Sequence, residues 1–100
     1  MQIGLTQRRL YIARQVYEAF FDGCSTVILL RKEKDLLVLP VRYAASGGYV
    51  LKIRNAGGDR TVDAGDFFRD QGLDDAAEWE GAFSWCDASG GLRLYEVFLM

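Results

Sequence analysis

Hydrophobic positions along this chain change period several times. In residues 5–24, LTQRRLYIARQVYEAFFDGC, the residues Leu10, Ala13, Val16, Tyr17, Phe20 and Phe21 recur at three- and four-residue spacing. Arg8, Arg9, Arg14, Gln15 and Glu18 fall mostly elsewhere on the wheel, so the pattern predicts a long amphipathic helix. Thr6 would cap its start and Gly23 would end it in a left-handed conformation.

The pattern then turns extended. TVILLRK (26–32) and LLVLPVRY (36–43) are rich in leucine and β-branched residues and predict two strands, with KEKD as a polar hairpin turn between them. Neither run alternates cleanly, which predicts that both faces of the sheet are covered there. Pro40 has no amide proton, so its amide side belongs at an edge or a bulge. YVLKIRN (49–55) does alternate, with Tyr49, Leu51 and Ile53 to one side and Val50, Lys52 and Arg54 to the other. RTV (60–62) reads as a short strand and DAGDFFRDQG (63–72) as a short helix, capped by Asp63 and stopped at Gly72. AEWEGAFSWC (77–86) fits a strand better than a helix, because Gly81 interrupts it. LRLYEVFL (92–99) reads as the last strand, joined to it through DASGG.

These elements predict an α+β fold in a single domain, 1–100. A long N-terminal helix would pack on an antiparallel sheet of about five or six strands, with a short second helix before a C-terminal hairpin. A five-residue hairpin loop would pair Cys86 with Leu92, Trp85 with Arg93, Phe83 with Tyr95, Gly81 with Val97 and Trp79 with Leu99. A four-residue loop mixes aromatic and acidic positions and is disfavoured. The five-residue register places Trp79, Phe83, Tyr95 and Val97 on a buried face and gives Phe83→Ala a cost of about 3–5 kcal/mol.

Composition narrows the class. One hundred residues, half of them apolar and 13% aromatic, can bury a core without disulfide or metal. The N-terminal stretch lacks the apolar segment of a signal peptide, and no apolar run approaches a membrane span, so the expectation is a cytoplasmic protein that does not enter a membrane. Cys24 and Cys86 form no zinc spacing and read as two isolated thiols. Histidine is absent, which removes the commonest general base and metal ligand. We therefore expect no catalytic residues, no metal and no cofactor, which leans against an enzyme without deciding it; an enzyme here would have to use carboxylate or tyrosine chemistry.

The net charge of −2 conceals an asymmetry: residues 1–60 hold 10 Lys/Arg against 5 Asp/Glu, and residues 61–100 hold 2 against 9. Four candidate sites follow. Arg42, Lys52, Arg54 and Arg60, with Tyr43 and Tyr49 among them, would form an anion or nucleic-acid face if strands 36–43, 49–55 and 60–62 pair as a meander. The glycine turns SGG (46–48), AGGD (56–59) and SGG (89–91) lie between strands, where a phosphate cradle lacks its helix. The carboxylates Asp63, Asp66, Asp70, Asp74, Asp75, Glu78 and Glu80 could supply acid-base chemistry if two of them converge. Trp79, Phe83, Trp85 and Tyr95 form an aromatic core or pocket. One amphipathic helix covers only part of one sheet face, yet 26–43 reads as dry on both sides. The leading expectation is therefore a small interaction or adaptor module that pairs with itself as a homodimer, or meets another protein. A nucleic-acid-associated regulator and a small-molecule binder with an aromatic-lined cavity are the alternatives.

Overall fold

Strands dominate the computed structural model, which describes residues 2–42 and 47–99. The long N-terminal helix does not form. Its first half is a hairpin, β1 (Ile3–Thr6) and β2 (Arg9–Ile12), paired Ile3 with Ile12 through Thr6 with Arg9. The two-residue loop, Gln7 and Arg8, has both φ values positive (50° and 59°), the signature of a type I′ turn. Ile3, Leu5, Leu10 and Ile12 share the inner face of this hairpin and are buried. A period of two thus coexists with the helical spacing over the same residues, and the longer-range pairing selects it. Thr6 ends a strand and caps no helix. Only Arg14–Val16 (α1) is α-helical, continuing as a π-helical turn over Tyr17–Phe21 that buries Val16 and Phe21. Gly23 follows at φ 78°.

The hairpin expected around KEKD is present as β3 (Thr26–Lys32) and β4 (Asp35–Val41), with Glu33 at φ 57° in its turn. The chain continues through β5 (Tyr49–Val50), β6 (Lys52–Ile53), β7 (Arg60–Asp63), α2 (Gly65–Asp70), β8 (Glu78–Glu80), β9 (Phe83–Cys86) and β10 (Gly91–Leu94). The expected meander is not formed: β5 joins β3, and β6 joins β7. Asp63 belongs to β7, so the residue before α2 is Ala64 rather than the expected aspartate cap.

Two antiparallel five-stranded sheets replace the single helix-covered sheet of the α+β expectation. Sheet A has the order β6-β7-β2-β1-β8 and sheet B the order β5-β3-β4-β10-β9. The edges of the two sheets are shared. Tyr49–Ile53 leaves sheet B as β5 and enters sheet A as β6, with Leu51 buried at the corner and its amide donating to the Ser25 carbonyl at 2.9 Å. Glu78–Cys86 does the reverse at the other side, crossing at Gly81 and Ala82. The result is a flattened barrel whose ladder passes from each sheet into the next. The sheet change at Leu51 also breaks the alternation expected for 49–55: Leu51 is buried, whereas Ile53 is 70% exposed.

One apolar core fills the barrel. Ile3, Leu5, Leu10, Ile12 and Val62 point in from sheet A, and Val27, Leu29, Leu36, Val38, Leu92 and Leu94 from sheet B; Val16, Phe21 and Phe68 from the helical segments complete it. Phe68 alone is fully enclosed on α2, which stops where Gly72 turns at φ 87°.

The final hairpin differs from expectation by one residue. Its loop has four residues, Asp87–Gly90, and Gly91 pairs with Cys86, Leu92 with Trp85, Arg93 with Ser84 and Leu94 with Phe83. Strand β8 pairs with β1 instead of with residues 97–99, and residues 95–98 form turns. Leu92 and Leu94 therefore face the core, while Tyr95 is exposed. The cause lies at Gly91. A Cβ there would come to 2.7 Å from the Val38 carbonyl oxygen and would also collide with Leu39, so the strand begins where only glycine can approach β4 this closely.

Candidate binding surfaces

The two sheets show solvent very different outer faces. In sheet B the register lines up three outward rows: Val50–Thr26–Val41, Ile28–Leu39, and Leu30–Leu37–Arg93–Ser84. None of Ile28, Leu30, Leu37, Leu39 or Val41 belongs to the core inside the barrel. Leu30 and Val50 are 47% and 55% exposed, and Leu37, in the middle, is shielded by its neighbours to 6%. The Arg93 charge on this face is neutralised within it, and exposed Lys32 stands at its end. Arg93 donates from Nε to Asp35 Oδ2 at 2.6 Å, and Asp35 Oδ1 accepts the Glu96 amide at 2.8 Å. Burial pushes the Asp35 carboxyl up, but the Glu96 amide, Arg93 and Lys34 outweigh it and hold the carboxyl below the ordinary carboxylate range.

Sheet A is polar outside. One row runs Glu80–Gly4–Tyr11–Thr61–Lys52 and the next Glu78–Thr6–Arg9–Asp63. At the Asp63 end the charges meet: Asp63 bonds both Arg9 and Lys52, the latter at 3.1 Å. The Lys52 hydrogen bond, with Arg9 beside it, holds the Asp63 carboxyl below the usual carboxylate range. At the other end the face is concave. A groove of about 540 Å³ lies over Gly4, between Glu78 and Glu80 on one wall and Tyr11, Arg54 and Asp59 on the other. The Arg54 guanidinium sits 4.6 Å from the Tyr11 ring centroid. Gln2 Nε2 donates to Glu80 at 3.0 Å. Asp59 is occupied by the Asn55 side chain at 3.0 Å and the Arg14 amide at 2.9 Å, and these bonds, the Asn55 one foremost, lower its pKa.

The four basic candidates are not gathered into one surface. Lys52 and Arg54 share the outer face of sheet A, one on Asp63 and the other on Tyr11. Arg60 turns to the barrel end, stacked over the Tyr17 ring at 3.9 Å and donating to the Gly58 carbonyl. Arg42 lies beside Gly23. Tyr43 and Ser46 are outside the described residues, so that part of the proposed face and of the SGG turn is not placed.

The aromatic candidates are split as well. Phe83 faces the core from β9, and Trp79 packs against it from β8 while its Nε1 donates to the Tyr95 carbonyl at 2.9 Å. Trp85 stacks on Phe20 with centroids 5.7 Å apart and donates to Asp87 at 2.9 Å. The Tyr95 hydroxyl lies 2.7 Å from Ser84 Oγ, at the surface. They are a seam along the β8–β9 segment, with Trp85 and Tyr95 more than a third exposed, and not a single buried face.

The acidic candidates disperse among separate partners: Asp66 accepts from Tyr49, Asp74 from the Ala76 amide, Asp75 pairs with Arg8 and Asp70 with Arg69. Among the described residues, no three His, Cys, Asp or Glu side chains are grouped as a metal site. Cys24 and Cys86 are free thiols, and the Ser89 hydrogen bond lowers the pKa of Cys86. Among the described residues, no helix is long and apolar enough to cross a membrane. Comparison with known protein families, with curated proteins and with solved structures finds no match.

The groove is what sequence reasoning missed. Its signal was Gly4, a glycine inside an alternating strand, flanked in the folded register by Tyr11 and Glu80, residues far apart along the chain.

Proposed function

We propose that this protein is an interaction module that pairs with a second copy of itself through the outer face of sheet B. The observation that carries the reading is the register-aligned set Ile28, Leu30, Leu37, Leu39 and Val41, apolar on the side of the sheet away from the core. Leu30 and the neighbouring Val50 are exposed, Ile28, Leu39 and Val41 half-buried and Leu37 buried; apolar surface gathered on one face marks interaction sites on small proteins. The centre of the patch has the depletion of free charge that interface cores show, since its one guanidinium is spent on Asp35. A sheet face of this type packs on its own copy, as the layers of a sandwich do, at a spacing of about 10 Å.

Size sets the strength. Strands β3 and β4 have seven residues each, about 23 Å, and the strands from β5 to β10 span about 14 Å. That is on the order of 300 Å² of flat sheet, and roughly twice that with side-chain relief. A stable interface takes about 600–1,000 Å² from each partner, so the pairing should be reversible and of micromolar class.

Light scattering coupled to gel filtration, run over a concentration series, tests this. The mass should rise from 11.2 kDa toward twice that value as concentration increases. Leu30→Lys combined with Val50→Lys, the two most exposed positions of the patch, should hold the chain at one copy with an unchanged circular dichroism spectrum. A wild-type mass that stays at one copy up to ~1 mM sinks the reading, since such a pairing would be weaker than about 4 kcal/mol.

A further inference from the structure

The groove on sheet A lies on the other side of the barrel from the patch and is independent of it. Its charges are arranged differently from those of the rest of that face. Toward Asp63, opposite charges sit in contact and cancel. In the groove, Glu78 and Arg54 have no ion-pair partner within 4 Å among the described residues, and they stand on opposite walls. Glu80 and Tyr11 flank Gly4 in one row of the ladder. Their backbones are therefore two strands apart, about 10 Å, and neither carboxylate forms an ion pair with the guanidinium held on Tyr11.

Gly4 forms the floor. Its φ is not positive, so no turn geometry demands glycine, and a glycine within a strand weakens the strand. A Cβ at this position would meet the Trp79 carbonyl oxygen at 3.3 Å, a tight contact rather than a prohibitive one. What the missing side chain leaves is space above the ladder, between a wall with two carboxylates, Glu78 and Glu80, and a wall where the Arg54 guanidinium stands near Asp59, whose carboxylate is already engaged by Asn55 and the Arg14 amide.

We propose that this groove binds a short peptide with free termini: the terminal ammonium against Glu78 and Glu80, the terminal carboxylate on Arg54, and the backbone lying over Gly4. Three extended residues span about 10 Å, the separation of the β8 and β2 backbones that carry the groove. The volume of about 540 Å³ falls within the range of small-ligand sites. Arg54 suits the carboxylate end because a guanidinium fixed by its aromatic partner presents its donors to a carboxylate as a pair. Glu78 and Glu80 suit the ammonium end because both project outward from β8, with Trp79 between them turned inward. The groove is open to solvent, so the affinity should be low, in the millimolar range that small ligands reach without enclosure.

The experiment is a ¹H–¹⁵N correlation titration with triglycine, repeated with N-acetyl-triglycine and with triglycine amide. Triglycine should give saturable shifts at the Gly4, Thr6 and Glu80 amides. Each capped peptide should bind at least about fivefold more weakly, as should Arg54→Gln and the double variant Glu78→Gln, Glu80→Gln toward triglycine. The positions substituted are exposed, and the unperturbed part of the spectrum reports that each variant is folded. The Leu30→Lys, Val50→Lys variant should bind triglycine as the wild type does, whatever its state of association. No saturable shift, shifts centred outside the groove, or equal binding of the capped peptides would each overturn the proposal.

Discussion

The outer faces of sheets A and B enclose the same core and were made by different means. On sheet A the outward positions of β1 and β2 alternate with buried ones, and the charges on this face are either paired, at Asp63, or held apart across the groove. On sheet B the outward positions along the middle of β3 and β4, Ile28, Leu30, Leu37 and Leu39, are leucine and isoleucine, like the buried ones opposite them. The comparison teaches that continuous hydrophobicity in a strand reports two apolar environments without saying which one is the core. Here the register separates them: Leu29 and Val38 pair toward the interior, and Leu30 and Leu37 pair toward the outside.

The largest expected effect separates inside from outside within sheet B. Leu94→Ala, at a fully buried inner position, should cost about 2–5 kcal/mol in urea unfolding. Leu30→Ala, on the outer face and nearly half exposed, should cost under about 1 kcal/mol in the single chain. Equal losses would mean that the two faces of sheet B are not distinct environments.

An intermediate effect concerns the one charge pair set into the apolar face. Asp35 is buried and Arg93 only a quarter exposed, so Asp35→Asn should lose about 1.5–3 kcal/mol at neutral pH. The carboxyl is held lower in the folded protein than when unfolded. Its contribution is therefore present above the unfolded value of about 3.9 and is lost as pH falls through the folded value. Urea midpoints measured from pH ~5 downward should fall more steeply for the wild type than for Asp35→Asn. Parallel curves would place the acid sensitivity elsewhere, on the exposed carboxylates of sheet A.

The smallest effect belongs to the hairpin of sheet A. Gln7 occupies a left-handed conformation that costs a side chain such as glutamine about 1 kcal/mol, and asparagine tolerates it better. Gln7→Asn should raise stability by about 0.5 kcal/mol. Arg8, also left-handed, is held by the Leu73 carbonyl at 3.0 Å and by Asp75, so the same change there should gain nothing. A destabilised Gln7→Asn in thermal unfolding would contradict the turn geometry.

Much of the strand content was legible because its punctuation was local. The β3–β4 hairpin has charged turn residues and β-forming flanks, and α2 has paired phenylalanines with Gly72 after them. The first hairpin was not legible, because Gln7 and Arg8 are poor signals for the type I′ turn they form, while Leu10, Ala13, Val16 and Tyr17 satisfy a helical period. At the C-terminal end, Gly90 and Gly91 look alike in sequence. One is a turn residue at φ 70°, and the other is a strand residue pressed against β4, a difference that only the neighbouring strand creates. The changes of sheet at Leu51 and at Gly81 have no local signal of their own. They split the aromatic set that parity had grouped, while Arg60 leaves the face of Lys52 and Arg54 because the β6–β7 register sets it opposite Ile53. The groove was hidden for the same reason, since its walls come from both ends of the chain.

The shared edges of the two sheets have a kinetic consequence. The ring is closed by β1 against β8, where Gly4 meets Glu80 across 76 intervening steps of chain. During synthesis the first hairpin is complete long before its second neighbour exists, and one side of β1 stays unsatisfied until the last quarter of the chain is made. Closure over so long a loop is slow compared with hairpin formation, placing it among the late events of folding. Until then β1 has an open edge that it lacks in the native state, and that interval is when the chain is most exposed to pairing with the wrong partner.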